Sequence, residues 1–341
     1  MNCFFASFVP GMEDLVKETV EDRLGNYSIK QLLEGAVVFE TELSYDKLNF
    51  FCFNNIFAVI DMKDAKTLDA YVLSCLSKEK KLTPDSLKII SENSKNIKSF
   101  RMVFSVENTP VNIKESLRSK AEDFICCNSE LTANRSKADT EFYFLYRREG
   151  MAFFMKRLTR SFEKNLHSGE LSPPLAWLLC RLAGLKASDT VLDPFCGYGA
   201  IAEAALKYFA VKKCISVDNN TACIKICNGK KSLQSERSEI HKKDFFDADF
   251  FSRHLTKTSF DAIVTDPPWG DFKETKLPKD VFYKEMLSNF SRLLKPKGRA
   301  VILLGAGIEL NLSGNKLLEL DKSFNILVSG KKAVLYLLSK K

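Results

Sequence analysis

Two short stretches of the sequence combine residue types and spacing that could do chemistry. The first, Asp193-Pro-Phe-Cys-Gly-Tyr-Gly199, directly follows the apolar run Thr190–Leu192. Glycines at 197 and 199 let the backbone turn and approach a ligand without a Cβ clash. A helix is expected next, so its N-terminal N–H groups would point into the same space. Ala202 completes a GxGxxA pattern, which leaves a dinucleotide formally open. Asp193 argues the other way, because a carboxylate repels a pyrophosphate and suits an ammonium group. S-adenosylmethionine carries an amino group and a sulfonium and no phosphate, so it fits this loop better than NAD. Asp218 ends the next apolar run and could accept hydrogen bonds from ribose hydroxyls. An N-cap of the following helix would use the same residue type.

The second stretch is Asp266-Pro-Pro-Trp-Gly270, after the apolar run Phe260–Thr265. Two prolines fix φ and withhold two N–H donors, so the carbonyls there are displayed rather than paired. A carboxylate beside a rigid carbonyl suits the two hydrogens of an exocyclic amine. Trp269 offers a flat face for a base, worth about 1–3 kcal/mol in stacking. A proline-rich turn with a core tryptophan is the alternative reading of the tetrapeptide alone.

Elsewhere the chemistry is thinner. Ten cysteines include no CxxC pair, and only three histidines (His167, His241, His254) are scattered along the chain. Free thiols and no metal site are expected. The net charge of +8 is compatible with a polyanionic partner. Arg147, Arg148, Lys156, Arg157, Arg160 and Lys164 cluster locally, interleaved with Phe153, Phe154 and Phe162. That cluster reads either as a solvated basic face over a packed edge or as a nucleic-acid contact.

These residues need a scaffold. At 341 residues, 45% hydrophobic and 28% charged, the chain has the balance of a soluble globular protein, and its length implies more than one domain. No apolar run approaches the length of a membrane helix. Cys3 to Pro10 is one strand long and lacks a basic leader, so a cytosolic protein is expected.

Phe4–Val9, Ile29–Leu33, Ala36–Thr41 and Ile56–Met62 read as strands, with helices over Met12–Leu24 and Tyr45–Phe53. That order is the ferredoxin-like β-α-β-β-α-β arrangement. After the polar residues 91–98, Phe100–Val106 reads as a strand and Val111–Cys127 as a helix. Thr140–Arg147 and Met151–Leu158 form a hairpin around Glu149-Gly150. A boundary falls near Leu166–Pro174, and Leu175–Leu185 reads as a helix. Beyond Asp189, strands Thr190–Leu192, Cys214–Val217, Phe260–Thr265 and Ala300–Leu304 alternate with helices Ala202–Phe209, Thr221–Leu233 and Val281–Leu294. Phe324–Val328 and Ala333–Leu338 finish as an antiparallel pair. Such alternation implies an α/β domain with a mostly parallel sheet, whose ligands bind beyond the carboxyl ends of its strands.

The stretches 171-LSPPLAWLLCRLAGL-185 and 190-TVLDPFCGYGAIAEAA-205, together with DPPW, resemble the methylase domain of THUMP-containing RNA methyltransferases. The N-terminal half resembles that family's ferredoxin-like plus THUMP module, with 141-EFYFLYRREGMAFFMKRLTR-160 as its closing hairpin. The resemblance implies a Rossmann-like class I methyltransferase domain over 166–341 and an α+β RNA-binding region over 1–165. It implies an enzyme that uses S-adenosylmethionine on the N2 amine of guanine in tRNA, and a monomer is expected. Asp193, Phe195, Gly197 and Gly199 match the cofactor loop, and Asp218 with Asn219 the ribose-binding segment. Asp244 and Phe245 match the adenine side, and Pro173 and Pro174 match a linker that meets the cofactor side. Asp266, Pro267, Pro268 and Trp269 match the catalytic set, with Asp266 also near the cofactor. Arg147, Lys156, Arg157 and Arg160 are the expected RNA contacts. Tyr198 and Ala200 stand where the family usually has Ser and Thr, and Trp269 where Tyr or Phe is commoner. DPPW also occurs in adenine-N6 methyltransferases. A non-catalytic RNA-binding protein with a methylase fold is the third reading.

Overall fold

A computed structural model of the chain describes residues 1–44, 47–48, 50–77, 82–91, 97–159, 166–269 and 277–341. From the start of the chain run β1 (Asn2–Ser7), α1 (Glu13–Arg23), β2 (Tyr27–Leu33), β3 (Ala36–Thr41) and β4 (Asn55–Asp64). They are followed by α2 (Leu68–Cys75), α3 (Pro84–Ser91), β5 (Ser99–Val106), β6 (Thr109–Pro110), α4 (Glu115–Cys127), β7 (Thr132–Ala133), β8 (Thr140–Tyr146) and β9 (Met151–Arg157). β1 ends at Ser7, so Phe8 and Val9 of the expected strand lie outside it, ahead of the turn at Pro10-Gly11. Glu13 and Asp14 in the first turn of α1 and Arg23 in its last complement the helix dipole.

The chain divides into two compact units. The first comprises Met1–Ser7, Glu21–Asn49 and Phe53–Ser161. Its sheet runs β2-β3-β1-β4-β9-β8-β5-β6, with β7 on β5. The first four positions are the strand order of the expected β-α-β-β-α-β unit. Tyr45, Asp46 and Asn49 of the expected second helix lie outside the described residues, and residues 50–53 are irregular. The stretch after residue 98 does not begin a separate sheet, because β9 pairs with β4, Phe57 opposite Arg157. Gly150 turns the β8–β9 hairpin with φ +84°. Aromatic side chains fill the core, Phe144 and Phe154 stacking at 4.4 Å.

The second unit comprises Phe8–Val20, Phe50–Cys52 and Phe162–Lys341. Its further elements are α5 (Pro173–Leu182), β10 (Thr190–Asp193), α6 (Ala200–Tyr208), β11 (Lys213–Asp218), α7 (Thr221–Gly229), β12 (Ser238–Lys242) and α8 (Ala248–Phe250). Then come β13 (Phe260–Thr265), α9 (Lys279–Leu293), β14 (Leu294–Gly305), β15 (Leu318–Val328) and β16 (Lys331–Lys340). Ser172 caps α5 by accepting from Leu175 N, and Pro173 stands at its first position, where no N–H is needed. The helix therefore starts two residues before Leu175. The sheet order is β12-β11-β10-β13-β14-β16-β15. The first five strands are parallel, and β16 runs antiparallel between β14 and β15. Residues 300–304 of β14 are fully buried, as a parallel sheet covered on both faces requires. Residues near the chain start belong to this unit. Leu327 N donates to Pro10 O at 3.2 Å, and a Cβ on Gly11 would meet Asn325 O at 2.0 Å. Among the described residues, no helix is long and apolar enough to cross a membrane.

Candidate active site

The parallel order reverses between β10 and β13, and the chemistry gathers at their carboxyl ends. Asp193 is the last residue of β10, Asp218 the last of β11, and Asp266 follows Thr265, the last of β13. Asp193 is fully buried. Its Oδ1 accepts from Thr265 Oγ1 at 2.9 Å and Phe195 N at 3.3 Å. Its Oδ2 is buried with no hydrogen-bond partner among the described residues. Burial pushes this carboxyl well above its ordinary range, with the neighbouring Asp218 and Asp266 charges adding to the rise. A buried bare acceptor is costly on its own. It calls for a ligand that brings a donor or a positive charge, and it disfavours a phosphate.

The glycine loop wraps around Asp218. Gly197 N donates to Asp218 Oδ2 at 2.8 Å, and Asn220 N to Oδ1 at 2.7 Å. The cap of α7 is Asn220, which accepts from Ala222 and Cys223, so Asp218 is not an N-cap. Gly199 sits at φ +80° at the start of α6, and a Cβ there would meet Leu233 Cδ1 at 2.8 Å and Cys227 Sγ at 3.0 Å. Only glycine satisfies both the conformation and the packing. Cys223 and Cys227 share α7 as their spacing implies, and Cys227 Sγ donates to Gly197 O at 3.2 Å. Asn219 and Asp244 are exposed. Asp244 Oδ1 accepts from Phe246 N, while Asp247 is the residue that caps α8.

Packing and topology add two details here. Phe245 is only 2% exposed, its ring packed against Phe195, Phe251 and Phe290, so it is a core side chain. The half-buried Phe246 is its outward neighbour, which the sequence did not single out. Between the second and third expected strands the structure adds β12, so Asp266 follows the fourth parallel strand.

Around Asp266 the geometry is tight. Trp269 Nε1 donates to Asp266 Oδ1 at 2.6 Å, and Tyr283 of α9 donates its hydroxyl to Pro268 O at 2.7 Å. Pro267 is buried and Pro268 exposed. Burial pushes the Asp266 carboxyl up to about 7, and the indole hydrogen bond pulls it partly back. Thr265, Tyr283 and Phe246 are thus site residues missed from the sequence. Thr265 carried a signal, being the last polar residue of a buried strand that ends at Asp266.

Three described members of the basic cluster, in the first unit, are held against the protein's own acceptors rather than presented to solvent. Arg147 is 4% exposed, bound to Glu107 at 3.1 Å, Glu149 at 3.2 Å and Glu34 O at 2.9 Å. Lys156 is 6% exposed and donates to Ile89 O at 3.0 Å while lying over the Phe142 ring. Arg157 is held by Glu141 at 2.6 Å, by Thr159 O and by Asn55. Burial pushes the Glu141 carboxyl up, but the guanidiniums of Arg157 and Arg101 outweigh it and hold it below the usual carboxylate range. Phosphate contact by Arg147, Lys156 and Arg157 is therefore corrected: β9 is covered on both faces, and these cations neutralise the protein's own acceptors. Arg160 lies outside the described residues.

The family UPF0020, described as an RMKL-like methyltransferase domain, matches residues 160–313. A Bos taurus protein named U6 snRNA (guanine-N(2))-methyltransferase THUMPD2 is 30% identical over 146 residues, 43% of this chain and 28% of that protein. The match thus spans little more than a quarter of that relative's length. A Methanothermococcus thermolithotrophicus protein named probable tRNA (guanine(10)-N2)-dimethyltransferase is 31% identical over 149 residues, 43% of this chain and 88% of its own length. The crystal structure of TrmN from Thermus thermophilus superposes with a TM-score of 0.76 at 19% identity, covering 100% of both chains, which shows a shared fold. The strand order, the matched domain and the archaeal relative covered almost end to end agree, and the chain belongs to the RMKL-like methyltransferase family.

Proposed function

We propose that this chain is an S-adenosylmethionine-dependent RNA methyltransferase acting on the N2 amine of guanine in tRNA. The observation that carries the reading is the pair of carboxylates at adjacent strand ends, Asp193 fully buried and Asp266 half-buried. One, Asp193, has a bare oxygen suited to an ammonium, and the other, Asp266, stands in a rigid Pro-Pro turn. When bound, S-adenosylmethionine would supply a methyl group on a sulfonium, transferred as the carbon–sulfur bond breaks and a carbon–nitrogen bond forms, with the methylated nitrogen giving up one proton to water. Asp193 Oδ2 accepts from the amino group. Asp218 is oriented by Gly197 N–H and Asn220 N–H and keeps lone pairs for ribose hydroxyls. Asn219 and Asp244 stand at the neighbouring strand ends, with Phe195 and the Pro173-Pro174 segment completing the cofactor side. Asp266 accepts from the target amine and positions its nitrogen, while Pro267 and Pro268 stiffen the turn. Exocyclic amines are not basic, so positioning rather than prior deprotonation is the task, and the target base must leave its stack to reach the turn.

Support for RNA and for guanine N2 comes from the names carried by the bovine and archaeal relatives. Residues 1–165 are proposed as a ferredoxin-like plus THUMP region that supplies RNA affinity, and 166–341 as linker and methyltransferase domain, in a cytoplasmic enzyme. With Arg147, Lys156 and Arg157 turned inward, exposed lysines such as Lys98, Lys114, Lys120 and Lys137 are the better phosphate contacts in this region. The test is transfer of tritium from methyl-labelled S-adenosylmethionine to total tRNA, followed by nucleoside analysis. N2-methylguanosine is expected. N6-methyladenosine would move the target to adenine, and no transfer to any RNA would overturn the reading.

A further inference from the structure

We propose that Trp269 governs the reaction through its indole N–H, which occupies one oxygen of Asp266 and so makes a carboxylate, rather than an amide, necessary at position 266. The inference rests on the methyltransferase reading above and adds a positioning role for Trp269 to it.

The contact at 2.6 Å is the one hydrogen bond that the Asp266 side chain makes among the described residues. An indole nitrogen only donates, so whatever faces it must be an acceptor. The ring cannot easily move away. A Cβ on Gly305, at the end of β14, would meet Trp269 Cβ and Cε3 at 3.1 Å, so the missing side chain there makes the indole's seat. The ring also packs against the apolar cluster that includes Phe282 and Tyr283. One residue earlier, Tyr283 ties down the Pro268 carbonyl. The indole therefore presents its N–H to position 266 from a fixed place.

A carboxylate has two acceptor oxygens. One satisfies the indole, and the other is left for a substrate amine N–H. An amide has a single oxygen. Beside this indole that oxygen turns to the N–H, and the amide NH2 then faces the substrate amine, donor against donor. The ionisable groups facing Asp266 are Asp193 from β10 and Tyr283 from α9, and Trp269 on its own turn is neutral. None of these replaces the lost acceptor.

The experiment compares Asp266→Asn, Trp269→Phe and the double variant in tritium transfer to tRNA. Phenylalanine keeps a flat ring and removes the donor. Asp266→Asn is expected to lose about 100-fold or more in kcat, as the loss of an interaction needed in the transition state does. The double variant should regain roughly tenfold over Asp266→Asn, because its amide is free to turn its oxygen to the substrate. Trp269→Phe alone should move the pH midpoint of kcat/KM upward. A double variant no better than Asp266→Asn, or an unmoved midpoint, would overturn the proposal. A second measurement does not depend on turnover. The chain has two tryptophans, hence two indole N–H resonances in a nitrogen-15 spectrum. The resonance of Trp269 should titrate with a midpoint near 7 and stop titrating in Asp266→Asn. A flat resonance overturns the contact. A titrating resonance in a protein that methylates no RNA supports the contact and rejects the functional reading instead.

Discussion

Thr265 and Asp193, both fully buried on neighbouring parallel strands, share a hydrogen bond of 2.9 Å, and this bond fills one oxygen of the aspartate while the other stays bare. The arrangement aims Asp193 without satisfying it. A bound ammonium would complete the set, and it would also restore the charge that burial suppresses.

Cofactor binding should therefore release protons. In the free protein, burial favours the neutral Asp193 carboxyl, and the bound ammonium favours the carboxylate. Calorimetric titration in buffers of different ionisation enthalpy should give a buffer-dependent heat, and affinity for S-adenosylmethionine should rise with pH. Heat that is the same in every buffer would count against an ammonium at Asp193.

Thr265→Val keeps the shape of the side chain and removes its hydroxyl. Hydrogen bonds to charged groups contribute about 1.5–3 kcal/mol. S-adenosylmethionine affinity should fall by roughly tenfold to a hundredfold, measured by the same titration. Secondary structure by circular dichroism should not change.

The two loop glycines should differ. At Gly199 an added methyl group meets Leu233 and Cys227 as well as a left-handed backbone. At Gly197, φ is +49° but nothing lies within 4 Å of a Cβ. Gly197→Ala should cost only the backbone strain, about 1 kcal/mol. Gly199→Ala should cost clearly more, since the core must shift. Urea unfolding midpoints would rank them.

Asp266 has a stability signature. Its carboxyl titrates near 3.8 in an unfolded chain and is pushed up to about 7 in the fold. Below about pH 4 both forms are protonated and burial carries no ionisation cost. Between 4 and 7 only the unfolded form loses its proton, so stability falls as pH rises, and above 7 the deficit is constant. Asp193, also pushed up by burial, acts in the same direction. Asp266→Asn should raise Tm by a few degrees at pH 8 and have little effect at pH 4.

Arg157 should behave as a structural cation. Removing it leaves Glu141, 14% exposed, with less of its compensation. Arg157→Ala should lower stability by about 2 kcal/mol, less than the cost of breaking a fully buried pair. At temperatures where the variant stays folded, tRNA affinity should change by less than about twofold. A steep loss of affinity in the folded variant would restore the phosphate-contact reading.

The loop at 193–199 and the turn at 266–269 could be read from the sequence because their glycines, prolines and acids have local meaning. Each follows an apolar run that can only be a buried strand. Charge direction has no such local meaning. Arg147, Lys156 and Arg157 look like a basic stripe until Glu107, Glu141 and Ile89 O are brought beside them from distant parts of the chain. β12 was hidden because Ser238–Lys242 offers one large apolar residue, Ile240, enough for an edge strand and too little for a pattern. Phe245 and Phe246 are adjacent and identical, and only packing against Phe251 and α9 decides which ring turns inward.

The backbone bond between Leu327 and Pro10 has a consequence for biosynthesis. Ribosomes deliver Pro10 and Gly11 more than 300 residues before Asn325 and Leu327. The strand that fits against Gly11 is made long after it, so this unit cannot close until the whole intervening stretch has been synthesised. Residues 8–20 must wait with their apolar surface uncovered, the interval in which nascent chains aggregate or recruit chaperones. A rearranged chain in which residues 8–20 follow closely after residues 325–327 would shorten that wait.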